Sequence, residues 1–145
     1  MGLIVFSISE FLIQYLLGVK YFNKILFIIS LLMMITGHIF RIGAEFQAGK
    51  NFTHLIAERK KPKHSLVTDG FYSISRHPGY FGFFIWSLGT QLLCFNPISF
   101  LGFVYGLYKF FDGRIRYEEL TLIRFFGNKY LEYKSKTPIL IPCKY

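Results

Sequence analysis

Residues 70–82 read GFYSISRHPGYFG, a polar stretch punctuated by glycines that opens directly onto an apolar run. A second polar stretch, RIRYEE at 114–119, follows the next pair of apolar runs. Arginine, histidine and tyrosine side chains are costly at the mouth of a membrane helix unless they are paired or bind something. The two stretches therefore predict one functional site at a membrane boundary.

The composition around these stretches is that of a membrane protein. Of the 145 residues, 52% are hydrophobic, 20% are aromatic and 17% are charged, whereas a soluble domain has about 25% charged residues. The formal net charge of +9 would also suit a nucleic-acid binder, but the basic residues lie between apolar runs rather than on one soluble face. We therefore predict an all-α integral membrane protein with a single domain, residues 1–145.

Four apolar runs predict about four transmembrane helices. They lie roughly at 3–19, 25–40, 80–95 and 98–111. The first run can cross a bilayer only if its polar residues face other helices. These residues are Ser7, Ser9, Glu10 and Gln14. In the fourth run, Gly102 and Gly106 form a small-xxx-small pair that predicts close helix packing.

The polar segments between and after the spans are expected on the cytosolic side. Lysine and arginine are concentrated in segments 43–80 and 112–142, and such residues favour the cytosol, so the two segments can build one pocket. Residues 43–75 look irregular and predict a partly ordered loop. After Asp112-Gly113 the pattern predicts a separate amphipathic helix, from about 114 to 126.

Arg114 and Glu118 are four residues apart and so share a helix face. One interpretation is an exposed ion pair worth a few tenths of a kcal/mol, roughly. The other is a cation that holds a carboxylate and an anion that holds an ammonium, one turn apart. The spacing leaves both interpretations open.

His77-Pro78 also has two interpretations. It can simply begin a helix, with proline in the first turn. Alternatively His77, with Tyr72 and Tyr80, can line a site where the free amides of the new helix meet a negative group. The sequence has no Cys/His metal cluster, no P-loop and no GxGxxG motif, so we predict no metal site and no Rossmann-type cofactor site.

Several further motifs occur in order along residues 41–142. They are Gly49-x-Asn51-Phe52-x-His54, His64-x-Leu66-Val67, Gly70-x-Tyr72, Arg76-His77-Pro78-x-Tyr80-x-Gly82, Gly89-Thr90-Gln91-Leu92 with Asn96-Pro97, Arg114 with Glu118-Glu119, and Phe126-Gly127-x-x-Tyr130-x-x-Tyr133. In this order and spacing they closely resemble the isoprenylcysteine carboxyl methyltransferases. The eukaryotic members have additional N-terminal membrane helices, so the resemblance indicates a short member.

The resemblance implies an enzyme of the endoplasmic reticulum membrane with its active site facing the cytosol. Such an enzyme transfers the methyl group of S-adenosylmethionine (SAM) to the C-terminal α-carboxylate of a farnesyl- or geranylgeranyl-cysteine in prenylated CaaX proteins. The positions that match SAM-binding residues are His64, Ser65, Leu66, Val67, Tyr72, His77, Pro78, Gly79, Tyr80 and Glu118. Arg114 matches the position that holds the prenylcysteine carboxylate, and is the expected catalytic residue.

Three alternatives stay open at the level of sequence. Phospholipid N-methyltransferases have a similar Arg-His-Pro-x-Tyr core, but their amine acceptor gives them no need for Arg114 as an anion holder. Sterol reductases of the endoplasmic reticulum have a comparable C-terminal arrangement and use NADPH, whereas the two carboxylates Glu118 and Glu119 suit a zwitterionic cofactor better than a polyphosphate. A non-enzymatic binding or scaffold protein is the third.

Overall fold

The computed structural model describes residues 2–19, 22–49 and 65–142. Its helices are α1 (Gly2–Leu16), α2 (Lys24–Ala48), α3 (Phe71–Ile74), α4 (Pro78–Leu93), α5 (Pro97–Phe126) and α6 (Asn128–Lys136). These described ranges contain no strand, which confirms the all-α prediction. By length and composition, α2 is the one described helix that could cross a membrane, and α1 is a shorter apolar helix.

The most extensive helix pair is α2 with α4, and small residues bring the two backbones together. They are Ser30, Gly37 and Ala44 on α2, with Gly82 and Gly89 on α4, spaced seven apart on each helix. A Cβ at Gly37 would lie 2.7 Å from the Gly82 oxygen, and one at Gly82 would lie 2.6 Å from the Arg41 nitrogen. The crossing thus fixes Arg41 of α2 beside the first turns of α4.

The end of α2 also holds α3 in place. Gln47 Oε1 accepts a hydrogen bond of 2.9 Å from the Phe71 amide. The Phe71 ring occupies the space in which a Cβ of Gly43 would lie. Residues 43–48 were expected to belong to an irregular segment, but α2 continues to Ala48 because this face packs against α3.

Glu10 anchors α1 to the beginning of α5. Its carboxylate accepts hydrogen bonds from the amides of Ile98 (3.1 Å) and Ser99 (2.7 Å). The first amides of a helix have no intrahelical partner, so a carboxylate placed there satisfies them and favours the positive end of the helix dipole. A buried glutamate in α1 thereby caps another helix.

The other polar residues of α1 divide between two kinds of partner. Ser7 Oγ donates to Gln91 Oε1 (2.7 Å), and Gln14 Nε2 donates to the Phe95 oxygen (3.1 Å), so both bind the hairpin formed by α4 and α5. Ser9 is exposed and its hydroxyl donates to a carbonyl of its own helix (2.9 Å). The condition that polar groups of the first run face other helices is met by Ser7, Glu10 and Gln14, and is not met by Ser9.

The Gly102 and Gly106 pair accommodates α1. Leu3 Cδ1 lies 2.6 Å from the position of a Cβ on Gly106, and Cδ2 lies 3.5 Å from that of Gly102. The prediction of close packing at this pair is confirmed, with a side chain filling the space.

The predicted break at Asp112-Gly113 is wrong, because α5 runs without interruption through both residues. A glycine inside a helix costs about 0.5–1 kcal/mol relative to alanine. Phe111 and Ile115 flank it and are 2% and 0% exposed, within the core cluster. Burying two such side chains is worth more than the glycine costs, so the apolar run and the amphipathic segment form one helix.

Candidate functional site

The turn before α4 places Arg76 and His77 inside the protein. The Arg76 amide donates to the Pro138 oxygen (3.0 Å), and the side chains of Arg76 and His77 are almost completely buried. His77 is the N-cap residue of α4, and Pro78 takes the first turn, where its missing amide costs no hydrogen bond. The predicted helix start is confirmed.

Glu119 is the centre of a buried polar cluster. Its Oε1 accepts hydrogen bonds from Arg76 Nε and the Tyr130 hydroxyl, both 2.8 Å, and lies 3.2 Å from His77 Nε2. Lys134 Nζ lies 2.6 Å from Oε2. Burial alone would raise the pKa of Glu119, but the bonds with His77, Lys134, Arg76 and Tyr130 outweigh it and hold that pKa well below its usual range. An ionised Glu119 therefore joins the turn before α4 to α5 and α6.

The structure separates the two neighbouring carboxylates that the sequence grouped together. Consecutive helix residues do not share a face, and Glu119 faces the interior whereas Glu118 reaches the other ring nitrogen of His77. Glu118 Oε2 lies 3.6 Å from His77 Nδ1. This oxygen is buried and accepts no hydrogen bond from any residue within 2–19, 22–49 or 65–142. The sequence grouped both carboxylates as suited to a zwitterionic cofactor, whereas in the structure Glu119 is paired with side chains of the protein itself.

Tyr80 links His77 to Arg114. The His77 ring stacks on the Tyr80 ring with 5.5 Å between centroids and 3° between planes. Arg114 Nε donates to the Tyr80 hydroxyl (2.8 Å), and its guanidinium lies 5.3 Å from the Tyr80 centroid and 6.0 Å from that of Phe110. Glu118 is close enough to interact electrostatically with the Tyr80 phenol. The predicted common face of Arg114 and Glu118 is therefore directed at α4.

Tyr72 lies against α2. Its hydroxyl donates to the Ala44 oxygen (3.4 Å), and its own carbonyl accepts a hydrogen bond from Tyr133 (2.5 Å). Burial, with the negative charge of Glu118, raises the pKa of Tyr72 to about 12, while Arg41 acts in the opposite direction. Tyr72 therefore stays protonated near neutral pH and remains a hydrogen-bond donor.

Arg41 was not among the predicted site residues. Its Nη1 donates to the Gly79 oxygen (3.3 Å), in the first turn of α4. The sequence does carry a signal for it, because an arginine directly after a long apolar run marks the end of a span. Arg41 and Glu118 both act electrostatically on Tyr72, and Glu118 and Arg114 both act on Tyr80.

The remaining predicted residues lie in three places. Pro78 and Gly79 are buried at the start of α4. Ser65 is exposed, and Leu66 and Val67 are half-buried, in the irregular segment that leads to α3. His64 lies outside the described residues. The structure thus brings Tyr72, His77, Pro78, Gly79, Tyr80, Glu118 and Arg114 together around the beginning of α4.

Two partners of Glu119, Arg76 and Lys134, were missed by sequence reasoning as site-forming residues. Arg76 is 43 positions from Glu119, and Lys134 comes from a helix beyond it. A charge pair so far apart in sequence leaves no local periodic signal. The one signal in the sequence is that Arg76 directly precedes His77, within the polar stretch 70–82 that predicts a functional site.

Comparisons of the sequence with a family model and with known proteins indicate the same family. A model of the isoprenylcysteine carboxyl methyltransferase (ICMT) family matches residues 15–124. The protein-S-isoprenylcysteine O-methyltransferase of Saccharomyces cerevisiae is 43% identical over 144 residues, which are 94% of this chain and 60% of that protein. The Xenopus laevis protein of the same name is 46% identical over 115 residues, 79% of this chain and 40% of that protein.

A solved structure is similar over nearly the whole chain. It is described as the eukaryotic intramembrane Ras methyltransferase ICMT, and it matches with a TM-score of 0.91 and 38% sequence identity. The match covers 97% of this chain and 50% of that one. The chain therefore spans about half the length of the relatives that it matches.

Proposed function

We propose that this chain, which belongs to the isoprenylcysteine carboxyl methyltransferase family, transfers the methyl group of SAM to the C-terminal α-carboxylate of a prenylated cysteine. The observation that carries the proposal is the pair Arg114 and Glu118, one helical turn apart and both directed at Tyr80. The pair offers a cation for the acceptor carboxylate and an anion for the ammonium of the donor. The proposed substrates are farnesylated and geranylgeranylated CaaX proteins.

The site fits a zwitterionic cofactor. A buried carboxylate oxygen without a hydrogen bond is costly, and Glu118 Oε2 is one among the described residues, so an ammonium bound there would remove the cost. When bound, SAM would supply a methyl group activated by a sulfonium. The proposed binding residues are His64, Ser65, Leu66, Val67, Tyr72, His77, Pro78, Gly79, Tyr80 and Glu118.

Arg114 would hold and orient the acceptor. Its guanidinium is fixed by the hydrogen bond to Tyr80 and by the rings of Tyr80 and Phe110, and an arginine fork matches the geometry of a carboxylate. A carboxylate is already ionised at neutral pH, so no general base is needed. Catalysis would come from orientation within a site that the surrounding helices shield from water.

The cluster around Glu119 would keep His77 in place. An ionised carboxylate only accepts hydrogen bonds, so in the hydrogen bond between His77 and Glu119 the donor would be His77 Nε2. This orientation directs Nδ1 to Glu118. The cluster positions the lining of the cofactor site and takes no part in the transfer.

We also propose a membrane arrangement for the chain as a single domain, residues 1–145. Four spans, roughly 3–19, 25–40, 80–95 and 98–111, would cross the endoplasmic reticulum membrane, with segments 43–80 and 112–142 on the cytosolic side. Large apolar side chains are exposed along α1 and α2, for example Leu12 and Ile35 at 50% and 56%, as expected for a surface that faces lipid. A groove between helices that opens to the lipid would accept the prenyl chain.

Methyl transfer from labelled SAM to N-acetyl-farnesylcysteine tests the proposal directly. Membranes with the wild-type chain should form a base-labile methyl ester. The Arg114→Ala variant should lose most of this activity, and the Arg116→Ala variant should keep it because the Arg116 side chain is 64% exposed and pairs with Asp112. Methylation of phosphatidylethanolamine in place of the cysteine analogue would instead support a phospholipid N-methyltransferase.

A further inference from the structure

A row of exposed residues continues from Arg114 along the second half of α5. They are Gly113, Tyr117, Leu120 and Arg124. Spacings of four, three and four residues place them on one side of the helix. Tyr117 is 51% exposed and Leu120 is 61% exposed. This set, the α5 row, begins with the residue next to Arg114.

Gly113 forms an open notch in the α5 row. A Cβ added there would have nothing within 4 Å among the described residues, so none of them requires a glycine for packing. A glycine inside a helix is destabilising relative to alanine, and one of its uses is to let a ligand approach the backbone closely. Exposed aromatic side chains, Phe110 and Tyr117, precede and follow it on the same side of the helix. The notch therefore leaves room for a chain to cross α5 next to Arg114.

The position of the α5 row favours a polypeptide over lipid as the molecule that covers it. The proposed span ends at residue 111, and at 1.5 Å per residue Leu120 lies about 14 Å beyond that point. Neighbouring apolar side chains exposed on the cytosolic side indicate a surface that binds another molecule. A prenylated protein with its terminal carboxylate at Arg114 has to direct its polypeptide toward the cytosol. The α5 row leads in that direction.

We propose that the α5 row binds the polypeptide segment that precedes the prenylated cysteine of the substrate. The inference rests on the proposed function, because Arg114 has to hold the carboxylate at the end of that segment. Gly113 would accept the backbone of the segment, and Tyr117 and Leu120 would cover its side chains. The chain would then prefer prenylated polypeptides over a prenylcysteine alone.

Methylation of two acceptors tests the proposal. One is N-acetyl-S-farnesylcysteine, and the other is a short peptide that ends in S-farnesylcysteine with a free carboxylate. The wild type should have a kcat/KM about 5- to 20-fold higher for the peptide, the effect of covering two half-exposed side chains. A double variant, Tyr117→Ser with Leu120→Ser, should reduce this preference to about 2-fold or less. Its kcat/KM for N-acetyl-S-farnesylcysteine should stay within about 2-fold of the wild type, because that acceptor has no polypeptide to place on the row.

Gly113→Leu separates recognition from stability. Leucine is a much better helix former than glycine, and its Cβ meets no described atom at this position. The melting temperature should therefore rise, whereas the preference for the peptide should be lost because the notch is filled. A purely structural role of Gly113 would not combine these two effects. Leu131→Ala is the matched control, since that side chain is 46% exposed on α6 outside the row, and it should leave the preference unchanged.

Equal kcat/KM values of the wild type for both acceptors would overturn the proposal. Equal losses for both acceptors in the double variant would also overturn it, and are the result expected if the row faces lipid. SAM binding shows whether each variant is folded, and Gly113→Leu remains the test if the double variant does not fold. A wild type that methylates neither acceptor contradicts the proposed function itself, whereas methylation without a peptide preference contradicts only the role of the α5 row.

Discussion

Glu118 and Glu119 are adjacent and chemically identical, yet their surroundings give them different tasks. Glu119 is enclosed by Arg76, His77, Tyr130 and Lys134. The Oε2 atoms of both glutamates accept no hydrogen bond from the described residues. That of Glu119 nevertheless lies 2.6 Å from Lys134 Nζ, whereas that of Glu118 lies 3.6 Å from His77 Nδ1. At the scale of single residues, therefore, the first holds the protein together and the second is available for a ligand.

Exchanging each carboxylate for an amide should separate the two tasks. Glu119→Gln leaves Arg76 and Lys134 with no anion in a buried cluster, which should cost about 3–5 kcal/mol of stability. Glu118→Gln should change the free energy of unfolding by less than about 1 kcal/mol but weaken SAM binding about 10- to 100-fold. Thermal unfolding in detergent and titration calorimetry measure the two effects. Equal losses of stability in both variants would contradict this division.

The contribution of Glu119 should depend on pH in a defined direction. Its pKa is lowered in the folded protein from an ordinary value of 4.5, so the folded state favours the ionised form. The stabilisation is fully present above about pH 4.5 and is lost as the pH falls through the lower, folded pKa. The difference in melting temperature between wild type and Glu119→Gln should be constant from pH 8 to about pH 5 and should shrink in more acidic solution. A difference that disappears already near pH 7 would exclude this origin.

At the scale of helices, the same substitution should have opposite effects at two glycines. Gly37→Ala introduces a Cβ within 2.7 Å of Gly82 and Trp86 of α4, so the helices must move apart. Gly113→Ala adds a Cβ with nothing within 4 Å in α5 and should stabilise by about 0.5–1 kcal/mol. We expect Gly37→Ala to lower both the melting temperature and the affinity for SAM, because the crossing positions α4, whose first turn carries Pro78, Gly79 and Tyr80 of the proposed cofactor site. Unchanged affinity in Gly37→Ala would show that the crossing does not shape the site.

The helices differ in how far the sequence could predict them. Runs of apolar residues predicted α1, α2 and α4 because a lipid-facing helix needs continuous apolar length. The same criterion misplaced the end of α2 and divided α5, since Gly43 and Gly113 read as interruptions until their packing partners are known. Phe71 and Ile115 supply that packing from elsewhere, and tertiary contacts of this kind override local preference.

At the scale of the whole molecule, the sequence predicts only some of the residues that form the site. Motif order was sufficient to group Tyr72, His77, Tyr80, Arg114 and Glu118, which the structure brings together. It did not separate Glu119 from Glu118 or include Arg41, because both depend on how distant segments pack. The helix crossing does leave a local pattern, the small residues spaced seven apart on α2 and on α4. That pattern does not say which helices pair, and the buried charge cluster leaves no periodic pattern at all.

Mutations at the two ends of α5 should have independent effects on stability and on SAM binding. Glu10 joins α1 to the first amides of α5, and Arg114 lies roughly 24 Å further along the same helix at 1.5 Å per residue. Glu10→Gln weakens this cap and should cost about 1–2 kcal/mol of stability. The affinity of the folded protein for SAM should stay the same, because distant sites without shared partners contribute additively.

Ser9→Ala is the matched control in the same helix, since that hydroxyl is exposed and bonds only within α1, and it should change the melting temperature little. Thermal unfolding and SAM titration of both variants provide the comparison. A loss of SAM affinity in Glu10→Gln would mean that the hairpin of α4 and α5 transmits the change to the site. The cap would then contribute to the proposed function, because a shift of the beginning of α5 would displace Arg114 and Glu118 further along the same helix.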